Sequence, residues 1–154
     1  MIVGVTDNIR GGCLIVSSST ALCIYTDGSC RHHPRRGGVG FRLVFPDYCE
    51  MDEVEKDYSP TGFKGATINQ MELKACILAL EEAMTFQEIN QIQRIIIHTD
   101  SKYVKDNYPR AIHQWSKNKW GKTSGAPVLN ADLWKELLKT VQKTRKRVEI
   151  VWVK

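Results

Sequence analysis

Three apolar runs of this 154-residue chain each carry a carboxylate where a hydrophobic core is expected to begin. Asp27 and Asp100 follow the strand-like runs ALCIYT and RIIIHT, and Glu72 lies near the start of the helix-like run TINQMELKACILAL. Burying a carboxylate costs several kcal/mol unless a partner compensates its charge. A fold that accommodates this chain must supply that compensation. A bound divalent metal ion would also explain why three acids cluster.

The order of the runs predicts an α/β domain with a mixed sheet. Strands are predicted over 21–25, where Asp27 and Gly28 end the first run, and over 39–45, with a ragged third strand between 50 and 63. A helix, the strand 94–99, further helices and a last strand over 148–153 complete the domain.

The strongest predicted helix spans residues 67–86. Thr67 and Gln70 fit the capping box of a helix N-terminus. Glu72 lies four residues before Cys76 on a stripe of small residues, which would let the helix approach the sheet closely. We expect this approach to bring the Glu72 carboxylate near the strand ends. A later helix is predicted over 130–144, with Asn130 as its N-cap.

Composition narrows the class of protein. The chain is 42% hydrophobic and 25% charged, typical of one soluble globular domain. It has no apolar run near the roughly 18 residues of a membrane span, so no membrane partner is predicted. Five cysteines without a CxxC pair indicate reduced thiols in a cytoplasmic protein.

Charge is unevenly distributed along the chain, whose net charge is +5. Residues 47–57 hold six acids and one lysine, whereas residues 102–122 hold six basic residues and one acid. A basic second half favours a polyanionic partner. A solvated helix face explains the same charges equally well, and the charge pattern alone leaves both explanations open.

Each acid also has a plain structural explanation. Asp27 before Gly28 could begin a turn, Asp100 could cap the next helix, and Glu72 could close a capping box that starts at Asn69. Together these explanations weaken, because two acids end neighbouring strands, where open α/β sheets bind ligands. Three converging carboxylates suit Mg²⁺ or Mn²⁺. Sites with two such ions hydrolyse phosphodiesters.

Short motifs in a fixed order resemble type 1 ribonuclease H. They are TDGSC, GGVGF, NQMEL, TDSKYV, a Trp-rich basic loop, PVLNADLW and VWVK, and they span residue 21 to the end. The resemblance implies a five-stranded sheet of order 3-2-1-4-5 with helices on both faces. It also implies cleavage of the RNA strand of RNA–DNA hybrids with two Mg²⁺ ions, for which Mn²⁺ can substitute. The products would carry 3′-hydroxyl and 5′-phosphate ends.

The resemblance also assigns roles to residues. Asp27, Glu72 and Asp100 match catalytic, metal-binding carboxylates, with Asp27 bridging the ions. The positions that would contact the hybrid match a backbone site on the RNA strand, a site for a phosphate of the DNA strand and a residue that reaches the hybrid's minor groove. They also match a tryptophan beside the DNA strand and a basic protrusion. They are Gly28, Ser29, His33, Thr67, Asn69, Gln70, Trp115, Lys117, Lys119, Lys122 and Asn130.

The chain departs from the family pattern in several places. The family often has Asn at His33, Asn or a similar residue at Ile68, and Trp at Ala111. The family pattern continues after VEIVWVK with Gly-His and then a last helix with a fourth catalytic Asp. The resemblance therefore predicts three of four carboxylates, no last helix, and low activity that Mn²⁺ partly restores. We expect residues 21–154 to form the ribonuclease H-like domain, C-terminally incomplete, and residues 1–20 to be a leader or an added strand.

Two other functions stay open on the sequence alone. One is a hybrid-binding module that has lost hydrolysis, and the other is a domain of a larger polymerase-like protein in which another segment completes the site. The three carboxylates favour an enzyme, since a pure binder would not need their mutual repulsion.

Overall fold

A computed structural model describes the backbone of residues 20–32 and 35–154, and their side chains except at 30–32, 35–36 and 59–64. Within this part of the chain, one five-stranded mixed sheet forms the centre of the fold. Its strands are β1 (Ala21–His32), β2 (Arg35–Val44), β3 (Val54–Lys64), β4 (Arg94–Thr99) and β5 (Arg147–Trp152).

The strand order is β3-β2-β1-β4-β5, which confirms the predicted order. Strand β1 is central, since it pairs antiparallel with β2 and parallel with β4. Strand β4 in turn pairs parallel with β5. The carboxyl ends of β1, β4 and β5 therefore point toward the same edge of the sheet.

Strand β1 is longer than predicted and does not end at Asp27. Its parallel pairing with β4 stops at Thr26 opposite Thr99, but its antiparallel pairing with β2 continues to His32. Hydrogen bonds to β2 hold the segment Asp27-Gly28 extended, so the turn that Asp27 could have begun does not form. Asp27 nonetheless lies where the parallel part of the sheet ends, one position beyond that last pair.

Helix α1 spans Ile68–Ala83 and packs on β1 and β2. The predicted capping box is confirmed, because the Gln70 backbone N–H donates to Thr67 Oγ1 and the Thr67 backbone N–H donates to Gln70 Oε1. Nine of the sixteen helix residues are buried, including the small residues Ala75, Cys76 and Ala79 that face the sheet. The helix ends before the predicted Phe86, and a 3₁₀ turn at Gln87–Gln91 leads into β4.

Helices α2 (Lys102–His113) and α3 (Ala131–Thr144) follow β4. All three described α-helices contact one another, and the mixed five-stranded sheet with helices agrees with the predicted fold class. Crossovers between parallel strands are nearly always right-handed. Because the connections from β3 to β4 and from β4 to β5 join parallel strands and step in the same direction, both place their helices on the same side.

The start of α3 differs from a common N-cap. Asn130 has the N-cap position, but its backbone is left-handed, with φ 59°, and its side chain makes no capping hydrogen bond. Its amide instead forms hydrogen bonds with side chains of α1 and α2.

Among the described residues, no helix is long and apolar enough to cross a membrane.

Candidate active site

Three carboxylates converge where β1 and β4 end their pairing and α1 passes beneath them. Asp27, Glu72 and Asp100 each offer one oxygen atom, and these atoms lie within 4.8 Å of one another. Asp27 and Asp100 are exposed, whereas Glu72 is only 4% exposed. The structure thus brings together the three acids that the sequence pattern singled out.

The Glu72 carboxylate is poorly compensated by protein groups. The backbone N–H of Gly28 donates a hydrogen bond to it, but its Oε2 atom is buried and has no hydrogen-bond partner among the described residues. Burial raises the pKa of Glu72 to about 7, and the Asp100 charge adds to this effect. A buried, half-satisfied carboxylate is costly, so this site favours a cation that would complete its coordination.

Asp27 has a further acidic neighbour that the sequence analysis did not single out. Asp27 pairs with Gly40 on β2, and Gly40 pairs with Asp57 on β3, so the three residues form one row across the sheet. Burial, then Asp100, then Asp57 raise the pKa of Asp27. Asp57 belongs to the acidic segment 47–57, but only the strand register shows that it faces Asp27 across a glycine.

None of the three plain structural explanations accounts for these acids. Asp27 lies within a paired strand and not in a turn. The N-cap of α2 is Ser101, whose Oγ accepts from the Val104 N–H, so Asp100 does not cap that helix. The capping box of α1 joins Thr67 and Gln70 and leaves Glu72 out.

The geometry fits a divalent metal ion of the Mg²⁺ class. Each Mg²⁺–oxygen distance is about 2.1 Å, so oxygens on opposite sides of one ion lie roughly 4 Å apart. The three carboxylate oxygens lie within 4.8 Å of one another, close to this limit. Oxygen donors without sulfur or imidazole suit hard cations. The unpaired Oε2 of Glu72 is the atom that such an ion would satisfy.

Comparison with known proteins gives the same assignment. The family model for RNase H matches residues 19–154. The ribonuclease H of Proteus mirabilis is 42% identical over 131 residues, which are 85% of this chain and 73% of that protein. The ribonuclease H of Novosphingobium aromaticivorans is 40% identical over 131 residues, which are 85% of this chain and 81% of that protein. The chain belongs to the RNase H family.

Solved structures share the fold. The crystal structure of RNase H1 from Halobacterium salinarum matches with a TM-score of 0.57 and 25% identity, over 86% of this chain and 85% of that one. A foamy viral protease–reverse transcriptase, solved with an RNA/DNA hybrid, matches with a TM-score of 0.69 over 99% of this chain and 20% of that one. At 17% identity, the match to this viral protein shows only that the two chains share a fold.

Polar residues at the N-termini of α1 and α3 meet through a side-chain hydrogen bond. The Gln70 side chain of α1 donates from Nε2 to Asn130 Oδ1 at 3.3 Å. Thr67 is exposed and Asn69 is partly exposed on the same first turn of α1. Four of the predicted nucleic-acid contacts are therefore placed next to one another, although they come from segments about 60 residues apart.

The predicted basic protrusion is a folded loop between α2 and α3. A bridge between Gly121 and Pro127 and a hydrogen bond from the Val128 N–H to the Trp120 carbonyl hold its two sides together. Trp115, at the base of the loop, is 9% exposed and packs edge-on against Trp134. The three lysines that the sequence pattern selected are all exposed on it, at positions Lys117, Lys119 and Lys122.

Two further predicted contact residues, Gly28 and Ser29, lie on β1. Gly28 is buried beneath α1, and Ser29 is exposed and lines the same open cavity of about 430 Å³ as Asp27. Arg42 and Asp57 also line this cavity. His33 lies outside the described residues, so its role stays a prediction.

Replacing Gly28 by Ala should destabilise the RNase H fold and reduce cleavage. A Cβ atom at Gly28 would lie 2.7 Å from the Glu72 backbone nitrogen and 2.8 Å from the Met71 carbonyl carbon. Because both atoms are backbone, α1 would have to move away from β1, which overpacking data put at about 1–3 kcal/mol. Urea unfolding measures this loss.

Gly121→Ala is the matched control, since the nearest atom to its added Cβ would be 3.5 Å away. It should leave the free energy of unfolding nearly unchanged. Equal stabilities of the two variants would contradict the close approach of α1 to β1.

Proposed function

We propose that the chain hydrolyses the RNA strand of RNA–DNA hybrids with divalent metal ions held by Asp27, Glu72 and Asp100. The convergence of these three carboxylates within 4.8 Å carries the proposal. Membership of the RNase H family and relatives named ribonuclease H support the activity. Metal dependence is general in this family, and we propose two Mg²⁺ ions, with Mn²⁺ as a substitute.

When bound, such ions activate a water molecule and stabilise the charge on the leaving oxygen. The protein's own part is to hold its carboxylates in place. Helix α1 positions Glu72 through its capped N-terminus and the Gly28 N–H, and the end of β4 positions Asp100. The raised pKa of Glu72 means that metal must displace a proton from this group below about pH 7.

The proposed contacts with the hybrid divide between its two strands. Gly28, Ser29 and His33 would meet the RNA strand, where a 2′-hydroxyl distinguishes RNA from DNA. The DNA strand would meet the donors at the starts of α1 and α3 and then the protrusion. These proposed DNA-strand contacts are Thr67, Asn69, Gln70, Asn130, Trp115, Lys117, Lys119 and Lys122.

Cleavage of an end-labelled RNA strand within a hybrid tests this function. The same sequence as a DNA duplex and as a double-stranded RNA should stay intact under the same conditions. Hybrid binding without cleavage at any Mg²⁺ or Mn²⁺ concentration would favour the hybrid-binding module instead. Cleavage of all three duplexes would contradict hybrid specificity.

Replacing Lys117, Lys119 and Lys122 by Ala should weaken hybrid binding and flatten its salt dependence. Each lysine that neutralises a phosphate contributes about 0.9 to the slope of log K against log salt concentration. Fluorescence anisotropy over a series of salt concentrations measures both quantities. Metal-free conditions prevent cleavage during the titration.

The control for this variant removes the same charge elsewhere. Lys139, Lys143 and Lys146 lie at the C-terminal end of α3 and just beyond it, so their replacement by Ala should change the slope less. An unchanged slope in the protrusion variant would mean that its lysines only solvate the surface.

Two further points belong to the proposal. A cytoplasmic location is supported by Cys23, Cys49 and Cys76, which are free thiols, as expected in a reducing compartment. The division into residues 1–20 and a ribonuclease H-like domain from residue 21 is supported at its start by β1, which begins at Ala21. Residues 1–19 lie outside the described part of the chain.

A further inference from the structure

We infer that Tyr103 is a positioning residue that orients the amide of Asn130, and through it that of Gln70, for a phosphate group of the bound nucleic acid. This inference rests on the proposed function and deepens it. The Tyr103 hydroxyl accepts two hydrogen bonds, from Asn130 Nδ2 at 3.2 Å and from Trp134 Nε1 at 3.1 Å. It is the link between the polar helix N-termini and the hydrophobic core.

The two ends of this network can only donate, and this determines the direction of every bond in it. At one end the backbone N–H of Thr67 donates to Gln70 Oε1 at 2.9 Å, so the Gln70 Nε2 group faces Asn130. Asn130 must then present Oδ1 to Gln70 and Nδ2 to Tyr103. At the other end the indole of Trp134 is also donor-only, so Tyr103 accepts there as well. Neither amide can flip without breaking a bond on each side.

This fixed direction leaves three donors of the network unused. An amide NH₂ group has two protons, and Gln70 and Asn130 each use one of theirs within the network. The Thr67 hydroxyl accepts from the Gln70 N–H and so keeps its own proton to donate. Three neutral donors therefore lie together, as hydrogen bonding to phosphate oxygens requires. With either amide reversed, a carbonyl oxygen would face the phosphate and repel it.

Tyr103 is itself held rigidly. Its ring packs against Trp134 with a centroid distance of 5.9 Å, and Trp134 is fully buried and packs edge-on against Trp115. Asn130 in contrast has a left-handed backbone and no capping bond that would fix its side chain. Its orientation therefore depends on its side-chain partners.

The network also sets the spacing between the phosphate donors and the carboxylates. Gln70 precedes Glu72 by two residues on α1, and Tyr103 follows Asp100 by three residues at the start of α2. The side chains that orient Asn130 thus lie on α1, which also carries Glu72, and at the start of α2, just after Asp100. A phosphate held by Asn130 would lie in a defined position relative to the site of cleavage.

Tyr103→Phe tests the inference, because it removes the accepting oxygen and keeps the ring. We expect Kd and KM for an RNA–DNA hybrid to rise about fivefold to tenfold, the size of one lost orienting hydrogen bond, with kcat unchanged.

Tyr108→Phe is the matched control. Tyr108 is also on α2 and its buried hydroxyl donates to the Val148 carbonyl, so this variant loses a buried hydrogen bond remote from Asn130. It should lower stability and leave Kd and KM unchanged.

A double-mutant cycle separates positioning from a general structural effect. In an Asn130→Ala background, Tyr103→Phe should no longer change Kd, since the residue on which it acts is gone. Additive losses would overturn the inference. So would a Tyr108→Phe variant that weakens binding as much as Tyr103→Phe does.

Side-chain amide signals of Asn130 in ¹⁵N NMR spectra give a measurement that needs no nucleic acid. They should shift and exchange faster with water in Tyr103→Phe and stay unchanged in Tyr108→Phe. Unchanged Asn130 signals in Tyr103→Phe would overturn the inference even if binding fell. Wild-type protein that fails to bind hybrid would overturn the proposed function, whereas wild-type binding equal to that of Tyr103→Phe would overturn only the role of Tyr103.

Discussion

Asp27→Asn should lower the rate of hybrid cleavage by roughly 100-fold or more while hybrid binding persists. Changing a group that only supports a metal ligand lowers metal affinity or activity by about 10–100-fold. Loss of a ligand itself should lower the cleavage rate at least as much. Asp27 lies where the parallel pairing of β1 with β4 ends, beside the Asp100 charge and the open cavity. Initial rates on a labelled hybrid, at several Mg²⁺ concentrations, measure the effect.

Asp57→Asn is the control for this prediction. Asp57 lies in the same row of the sheet and lines the same cavity, but it is not one of the three converging carboxylates. The same chemical change there should leave cleavage within the range of the wild-type protein. If both variants lost activity equally, general electrostatics of the cavity would explain the result better than metal binding. If neither lost activity, the carboxylate site would be wrong.

Glu72→Gln should abolish cleavage and yet stabilise the metal-free protein at pH 8. Burial raises the pKa of Glu72 from its ordinary value of 4.5 to about 7. Between these values the folded protein keeps a proton that the unfolded chain has lost. The stability associated with Glu72 is therefore complete below pH 4.5 and is lost as the pH rises through about 7.

The size of this effect follows from the same shift. Moving one pKa from 4.5 to about 7 corresponds to on the order of 3 kcal/mol of unfolding free energy. Gln does not ionise, so the variant should lack this part of the pH dependence. Asp27, whose pKa is also raised, adds a decline of the same sign as its own carboxyl ionises, and this decline remains in both proteins.

Urea unfolding in EDTA at pH 5 and pH 8 measures the prediction. Glu81→Gln is the control, because Glu81 is exposed on the same helix and should show the wild-type loss of stability between the two pH values. Mg²⁺ at pH 8 should stabilise the wild-type protein more than the Glu72→Gln variant, since a ligand stabilises only the state that binds it. If the Glu72→Gln variant lost as much stability between pH 5 and pH 8 as the wild type does, ionisation of buried Glu72 would not be the cause of that loss.

Local patterns were enough to predict much of this site. Thr67 and Gln70 are three residues apart and predict the start of α1, which places Glu72 on the face toward the sheet. The apolar run that precedes Asp100 predicts a buried parallel strand, and β4 forms there. These features depend on residues within one turn of a helix or one strand. Their signals are therefore present in the sequence itself.

Contacts between segments that are distant along the chain could not be predicted from local sequence patterns. The extension of β1 past Asp27 depends on β2 continuing beside it, and Asp57 faces Asp27 only because Gly40 lies between them in the register. The placement of all three helices on one face follows from the direction of two crossovers. Each of these depends on which strand pairs with which.

By itself the sequence determined which acids are catalytic candidates, the strand order implied by its family motifs, and a basic loop for a polyanion. Only the tertiary structure decided that Glu72 is buried with an unpaired oxygen, and that Tyr103 connects Asn130 to Trp134. The physical reason is that helix and strand formation are governed by neighbours along the chain. Burial and side-chain hydrogen bonding are governed by neighbours in space.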